Sequence, residues 1–223
     1  MLNITFVTYE RAVIRLCIDQ DVLKQMLLRA AALLEEQADR LSEIDSRFGD
    51  GDHGITMLKI ARLIEEKVPA WQDESIRDFL DGLGMAVMEV KGGSAGPLYG
   101  TLIGGLGVRL GDAVSLDGEG AKDMLRGCLE EMQDITTAKV GDKTMMDALI
   151  PAVEAAEKAC GSAWDVWQAA AGAGEKGAEA SKAFVSRYGR AKSYKEQTIG
   201  TPDAGAVSVS LFLRGMADGA KCE

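Results

Sequence analysis

Three aspartates and a histidine lie close together in the glycine-containing segment 45–54, DSRFGDGDHG. Glycine permits tight backbone turns, so the carboxylates of Asp45, Asp50 and Asp52 can converge on one point. Converging carboxylates repel one another unless a cation joins them. Carboxylate oxygens suit a hard cation, and Mg²⁺ bound this way commonly keeps positions for substrate phosphates. The spacing predicts a magnesium site; the alternative is an acidic, solvated helix connection whose aspartates act as caps.

Three further glycine-containing segments could form an anion site. Residues 92–101 (GGSAGPLYGT) place a glycine-rich turn before a helix start, where backbone N–H groups and the Ser94 hydroxyl can bind an anion. A tight turn that lets helices pack closely would explain the same pattern. Residues 141–145 (GDKTM) and 200–206 (GTPDAGA) predict helix starts capped by Asp142 and Asp203. Arg190 belongs to a basic stretch, for which a solvated surface is the simpler interpretation.

The elements that must position these segments are helices. Apolar residues at helical spacing predict eight of them, at residues 22–41, 56–66, 75–89, 97–110, 119–134, 144–159, 163–184 and 205–216. The one β-branched cluster, residues 4–8, is isolated at the N-terminus. We therefore predict an all-α fold, with one helical domain at residues 21–223 preceded by an N-terminal extension at residues 1–20. All four glycine-containing segments fall between the predicted helices.

Composition limits the class of function. Hydrophobic residues make up 47% of the chain and charged residues 27%, as in ordinary globular proteins. The net charge of −10 argues against nonspecific binding to nucleic acid. Scattered cysteines and a single histidine argue against a zinc site and favour a reducing cytoplasm. We expect a cytoplasmic protein, because no apolar run could cross a bilayer and the first residues lack a signal-peptide pattern.

Taken together and in order, the four segments resemble the DhaL family, the nucleotide-binding subunits or domains of dihydroxyacetone kinases. The family pattern is G-D-(A/G)-D-H-G preceded by an aspartate, then G-G-(A/S)-x-G-P-L-(Y/F)-G-T, G-D-K-T-M and D-P-G-A. The similarity covers about residues 22–217. It implies a barrel of eight antiparallel helices with the nucleotide site at one end.

The resemblance also implies roles for individual residues. Asp45, Asp50 and Asp52 would hold two Mg²⁺ ions against the phosphates of ADP or ATP, and Arg190 would approach the same phosphates. The implied nucleotide-binding residues are His53, Gly54, Ile55, Thr56, Gly93, Ser94, Thr136, Met145, Arg190, Asp203, Ala204 and Gly205. The chain departs from the pattern at three places: Thr56 replaces a frequent asparagine, the Ser94 hydroxyl lies one position early, and Ala204 replaces a proline.

The implied function is half of a kinase. The family binds its ketose covalently through a histidine on a separate subunit or domain, whereas His53 is the one histidine here. We therefore expect a DhaK-like ketose-binding partner and phosphoryl transfer to dihydroxyacetone or another short ketose such as erythrulose. The donor could be exchangeable ATP, or bound ADP rephosphorylated by a phosphohistidine carrier of the sugar phosphotransferase system. The alternative is a non-catalytic nucleotide-binding regulator that docks on a partner protein.

Overall fold

The computed structural model of the protein describes residues 17–221. Within them the chain forms nine α-helices, two 3₁₀ segments and no strand, so the predicted all-α fold class is confirmed. The helices are α1 (Gln20–Glu36), α2 (Ala38–Ser46), α3 (His53–Ala70), α4 (Ile76–Met88), α5 (Ala95–Gly105), α6 (Gly118–Ile135), α7 (Met146–Lys158), α8 (Ala163–Ala180) and α9 (Ala204–Gly219). The 3₁₀ segments are Ser181–Ala183 and Arg190–Thr198.

The described part of the chain has one helix more than the sequence predicts, because the first predicted helix is divided at Gln37. This residue has φ −106° and ψ 7°, and its N–H still donates to the carbonyls of Leu33 and Glu35. The chain therefore changes direction with no loop between α1 and α2. Glutamine is a good helix former, so neither propensity nor periodicity marks the break. The other seven helices appear near their predicted positions.

Short polar side chains fix several helix starts. Asp19, Ser75, Asp117, Ser162 and Asp203 accept hydrogen bonds from first-turn N–H groups of α1, α4, α6, α8 and α9. Each cap satisfies a backbone donor that has no partner within its helix, which typically contributes about 1 kcal/mol. The cap predicted at Asp203 is therefore present in the structure.

The helices form a closed ring around one apolar core. Helix α1 packs between α3 and α9, α9 packs on α8, and α8 packs on α6 and α7. Helix α6 contacts α5, which packs on α4, and both α4 and α5 contact α3 to close the ring. Small residues permit the closest crossings: a Cβ on Gly215 of α9 would lie 2.3 Å from the Cα of Ala30 in α1. The ring brings segments distant in sequence to a common end.

The helical domain includes residues just before its predicted boundary. Ile18 is fully buried and pairs with Leu116 through two backbone hydrogen bonds. Asp19 caps α1, as described above. Residues 1–16 of the predicted extension lie outside the described residues. Among residues 17–221, no helix has both the length and the apolar character needed to cross a lipid bilayer.

The close contact of α3 with α2 allows a test of the packing that positions the aspartate segment. A Cβ on Gly54, in the first turn of α3, would lie 1.8 Å from the carbonyl oxygen of Ala38. We expect Gly54→Ala to lower the free energy of unfolding by roughly 2 kcal/mol, since the backbone must shift to admit the methyl group. Gly82→Ala is the matched control, because a Cβ there meets nothing within 4 Å. In urea denaturation it should raise stability by about 0.5–1 kcal/mol. Equal effects of the two changes would contradict this packing.

Candidate functional site

A cavity of about 380 Å³ lies at the end of the ring where four helices begin. Its lining includes the first residues of α3, α5 and α9 and the residues just before α7. Helix N-termini present unpaired N–H groups and positive dipole ends, which favour a bound anion. The volume lies within the range of small-molecule sites. All four segments singled out in the sequence contribute to this one cavity.

The three aspartates converge at the cavity, as their spacing predicts. One carboxylate oxygen from each of Asp45, Asp50 and Asp52 lies within 4.8 Å of the others. Asp45 lies in the last turn of α2, and its Oδ2 accepts a hydrogen bond of 2.9 Å from the N–H of Gly51. Gly51 has φ +77°, a left-handed conformation in which glycine is preferred. The loop is therefore shaped by its glycines and by Asp45 itself.

The chemistry of this cluster suits a divalent cation. Burial raises the pKa of Asp52, and the negative charges of Asp50 and Asp45 raise it further. A bound cation would relieve this repulsion. The donors are oxygen atoms alone, the set that Mg²⁺ prefers. The cluster therefore fits a magnesium ion, and it faces the cavity in which an anion could share that ion.

Arg190 also lines the cavity and reaches the same cluster. Its guanidinium forms an ion pair with the carboxylate of Asp50, although the two residues are distant in the sequence. Arg190 begins the second 3₁₀ segment, directly after Gly189, which has φ +60°. Its side chain is largely exposed, so the guanidinium can exchange this carboxylate for another anion at little cost.

His53 links the aspartate loop to α9. Its Nε2 lies 2.9 Å from the hydroxyl of Ser208, and that hydroxyl donates to the carbonyl of Gly205 at 3.0 Å. The two side chains are thus within hydrogen-bonding distance, and the imidazole tautomer decides which of them donates. Burial lowers the pKa of His53, which favours the neutral imidazole. His53 lines the cavity and also holds the start of α3 against the start of α9.

Most of the predicted site residues line this cavity, and four do not. The lining includes Asp45, Asp50, Asp52, His53, Gly93, Ser94, Met145, Arg190, Asp203, Ala204 and Gly205. Outside it lie Gly54, Ile55, Thr56 and Thr136. Ile55 is exposed on α3, and Thr56 is buried beneath Gly92 with its hydroxyl donating to the carbonyl of Asp52. The Thr136 hydroxyl accepts a hydrogen bond from the N–H of Ala138.

Lys143 and Asp147 form a buried polar network that the sequence pattern did not assign. The ammonium of Lys143 donates to the carbonyls of Ser181 at 2.7 Å and Thr201 at 2.5 Å. Both carboxylate oxygens of Asp147 accept backbone N–H groups, from Gly141 and Thr144, at 2.6 Å. These bonds hold the loop 141–144 in shape, although Lys143 has φ +62°.

The structure differs from the sequence prediction at three other residues, of which Asp142 lies outside the cavity lining. Asp142, expected as a helix cap, instead accepts a hydrogen bond from the N–H of Lys139. The cavity lining includes Phe48 and Tyr188, neither of which was among the predicted site residues. A signal existed for Phe48, which lies inside the aspartate loop. Tyr188 could have been noticed as an aromatic within the basic stretch.

Asp203 allows a test of the electrostatics of the site by pH. Burial raises the pKa of Asp203 to about 7. The folded state thus binds the proton of Asp203 more tightly than the unfolded state does. Ionisation of Asp203 therefore destabilises the folded state, and this destabilisation grows from about pH 4 to pH 7 and stays constant at higher pH. Asp203→Asn keeps an acceptor for the N–H of Ala206. We expect the ligand-free variant to match the wild type near pH 4 and to exceed its unfolding free energy by roughly 2 kcal/mol at pH 8. A difference independent of pH would contradict this origin.

The sequence matches known proteins over most of its length. Residues 47–218 match the family model described as the DAK2 domain. The chain is 31% identical over 202 residues to the "PEP-dependent dihydroxyacetone kinase, ADP-binding subunit DhaL" of Escherichia coli, covering 87% of this chain and 94% of that protein. The chain belongs to the DhaL family. The resemblance inferred from the four motifs is therefore confirmed.

Other relatives match this chain over only part of a longer protein. The D-erythrulose kinase of Mycolicibacterium smegmatis is 35% identical over 193 residues, covering 84% of this chain and 33% of that protein. The crystal structure of the dihydroxyacetone kinase of C. freundii, in its native form, superposes with a TM-score of 0.68 at 26% identity. It covers 89% of this chain and 34% of that one. The chain thus spans about a third of these kinases, and its fold is that of their DhaL part.

Proposed function

We propose that the protein binds Mg²⁺ and an adenine nucleotide in this cavity and supplies the phosphoryl group in a short-ketose kinase. The observation that carries the proposal is the convergence of Asp45, Asp50, Asp52 and Arg190 at one cavity bordered by helix N-termini. Phosphoryl transfer depends on charge neutralisation and in-line positioning. This arrangement supplies the groups for both.

Within the proposed site each group has a distinct task. The carboxylates of Asp45, Asp50 and Asp52 would hold two Mg²⁺ ions, which neutralise charge on the phosphate oxygens when bound. Arg190 would exchange its ion pair with Asp50 for a phosphate oxygen, to which its planar guanidinium can donate two hydrogen bonds. Neutral His53 would keep α3 and α9 in place while its ring borders the nucleotide.

The acceptor would come from another protein. Of its relatives, the E. coli protein is named as an ADP-binding subunit of a PEP-dependent kinase and has nearly the length of this chain. That likeness supports a DhaK-like ketose-binding partner. It also favours bound ADP, rephosphorylated by a phosphohistidine carrier protein, over freely exchanging ATP. The ketose would be dihydroxyacetone or erythrulose, the substrates that the names of the relatives contain.

Nucleotide extraction and calorimetry together test the proposal. Native mass spectrometry of the purified protein should reveal stoichiometric ADP, and titration of the emptied protein should give tight binding of ADP with Mg²⁺. Binding should be lost in EDTA, since the carboxylates alone would repel the phosphates. Protein that takes up neither ADP nor ATP in the presence of Mg²⁺ would rule the proposal out. ATP that exchanges freely and supports turnover without a phosphocarrier would replace the coenzyme version by the ATP-dependent one.

A further inference from the structure

An exposed face beside the cavity mouth differs in character from the rest of the chain. It consists of the loop 135–140 and the segment 187–199, and we call it the basic face. Residues 187–199 contain four cations, Arg187, Arg190, Lys192 and Lys195, against the single carboxylate of Glu196. Lys139 adds a fifth cation from the neighbouring loop. The whole chain, by contrast, has a net charge of −10.

The two parts of the basic face are joined to each other, directly and through Asp142, which follows the loop 135–140 and is buried. The N–H of Arg187 donates to the carbonyl of Asp142 at 3.1 Å, and its guanidinium lies 3.4 Å from the Asp142 carboxylate. The hydroxyls of Thr137 and Tyr188 are 3.2 Å apart. An open cleft of about 550 Å³ lies between the two parts of the face, and Lys139 and Lys192 are among its lining residues. The face is thus one continuous surface.

The segment 187–197 is held rigidly at its base although its side chains are exposed. Buried Thr198 accepts a hydrogen bond of 3.0 Å from the N–H of Ser186, and its hydroxyl donates to the carbonyl of Lys195 at 2.7 Å. The rings of Phe48 and Tyr194 pack with centroids 5.2 Å apart, which ties the segment to the aspartate loop. Lys195 is held at φ +50°, an unfavourable conformation for a lysine. A pre-ordered surface loses little conformational entropy when a partner binds.

Apolar side chains are interleaved with these cations. Five large ones, each with an exposed fraction between 39% and 53%, lie on the basic face: Ile135, Val140, Tyr188, Tyr194 and Ile199. Lys139, Lys192 and Lys195 form no ion pair with any residue that the structure describes. Tyrosine and arginine with apolar neighbours, surrounded by solvated charges, are the composition of protein–protein interfaces. A nucleic acid or an anionic membrane would meet the repulsion of the acidic remainder of the chain.

The basic face borders the cavity directly. Tyr188 and Gly189 line both the cavity and the open cleft, and Arg190 reaches from this segment to Asp50. A protein docked here would stand at the mouth through which a phosphoryl acceptor must approach. We propose that the basic face docks an acidic surface of the ketose-binding subunit, next to that subunit's bound ketose. The inference rests on the proposed function, whose partner surface it specifies.

Charge reversal at three lysines tests the inference. The variant Lys139→Glu, Lys192→Glu, Lys195→Glu leaves Arg190 and the aspartates untouched. The control variant is Lys67→Glu, Lys158→Glu, Lys221→Glu, which makes the same change in net charge. Its three positions lie at or just beyond the C-terminal ends of α3, α7 and α9, helices that begin at the cavity and therefore end far from it. Stopped-flow mixing with the ketose-binding subunit of the same organism gives the association rate, and calorimetry gives the affinity for ADP with Mg²⁺.

At low ionic strength we expect the basic-face variant to associate about 10–100-fold more slowly than the wild type, and the control to stay within about threefold. At about 0.15 M salt, which screens exposed charges, the affinity of both variants for ADP should stay within about threefold of the wild type, because none of the changed residues lies among the nucleotide ligands. An unchanged association rate, or an equal fall in both variants, would overturn the inference. So would wild-type binding to phosphatidylserine vesicles in preference to the subunit. If the wild type binds ADP but not the subunit, docking fails and the nucleotide function stands; if ADP does not bind, the proposed function itself fails.

Discussion

Replacing Asp50 with asparagine should weaken the binding of ADP with Mg²⁺ by at least about 100-fold, a loss of roughly 3 kcal/mol. Asparagine keeps the size of the side chain and removes the charge that a magnesium ion requires. The same substitution leaves Arg190 without its ion pair. Because that pair is exposed, the melting temperature should change by less than about 2 °C. The effect would therefore fall on binding and not on folding.

The control for this variant is Asp112→Asn, an exposed aspartate in the connection between α5 and α6. Helix α5 begins at the cavity, so this connection lies toward the opposite end of the ring. Calorimetry with ADP, with and without Mg²⁺, should show wild-type affinity for the control. An Asp50→Asn protein that keeps full magnesium-dependent affinity would remove the metal assignment. A variant that loses affinity equally with and without Mg²⁺ would assign Asp50 to the nucleotide instead.

The aspartate cluster shows how much local sequence can predict. Asp45, Asp50 and Asp52 belong to one short segment, 45–54, so glycine spacing alone is enough to expect their convergence. The helices were predictable for a related reason, since their apolar periodicity is also local. The cap at Asp203 follows from residue type and position. In each case the information lies within about ten residues of chain.

Other features depend on how the whole chain packs and could not be predicted from local sequence. The break between α1 and α2 at Gln37 has no local signal, because glutamine is a good helix former. Ile55 and Thr56 follow the aspartate loop directly, yet the helical turn directs them away from the cavity. The pairing of Arg190 with Asp50 depends on how the ring closes. Sequence order alone could not distinguish this pairing from a solvated basic surface.

Lys143 has a role that only the structure reveals, and its removal is expected to have the largest effect on stability. A lysine in the motif GDKTM invites assignment as a phosphate ligand, but its ammonium donates to the carbonyls of Ser181 and Thr201. Hydrogen bonds from charged donors each contribute about 1.5–3 kcal/mol, and their loss leaves the buried carbonyl of Thr201 unpaired, while the carbonyl of Ser181 keeps the N–H of Phe184. Lys143→Met should lower the free energy of unfolding by roughly 3–5 kcal/mol. Urea denaturation of the nucleotide-free protein measures this, with Lys158→Met as an exposed control expected within about 0.5 kcal/mol of the wild type.

The two roles open to Lys143 predict opposite combinations of results. A structural lysine makes the nucleotide-free protein unstable, because both carbonyls belong to the fold with or without a ligand. A phosphate ligand would leave that stability nearly unchanged and weaken only the binding of ADP, since its charge would act only on the bound phosphates. A loss below about 1 kcal/mol together with a large loss of affinity would therefore contradict the structural role. Thr201 lies shortly before Asp203, the cap of α9. If Lys143 is structural, its substitution should therefore weaken ADP binding only indirectly, by displacing the start of α9.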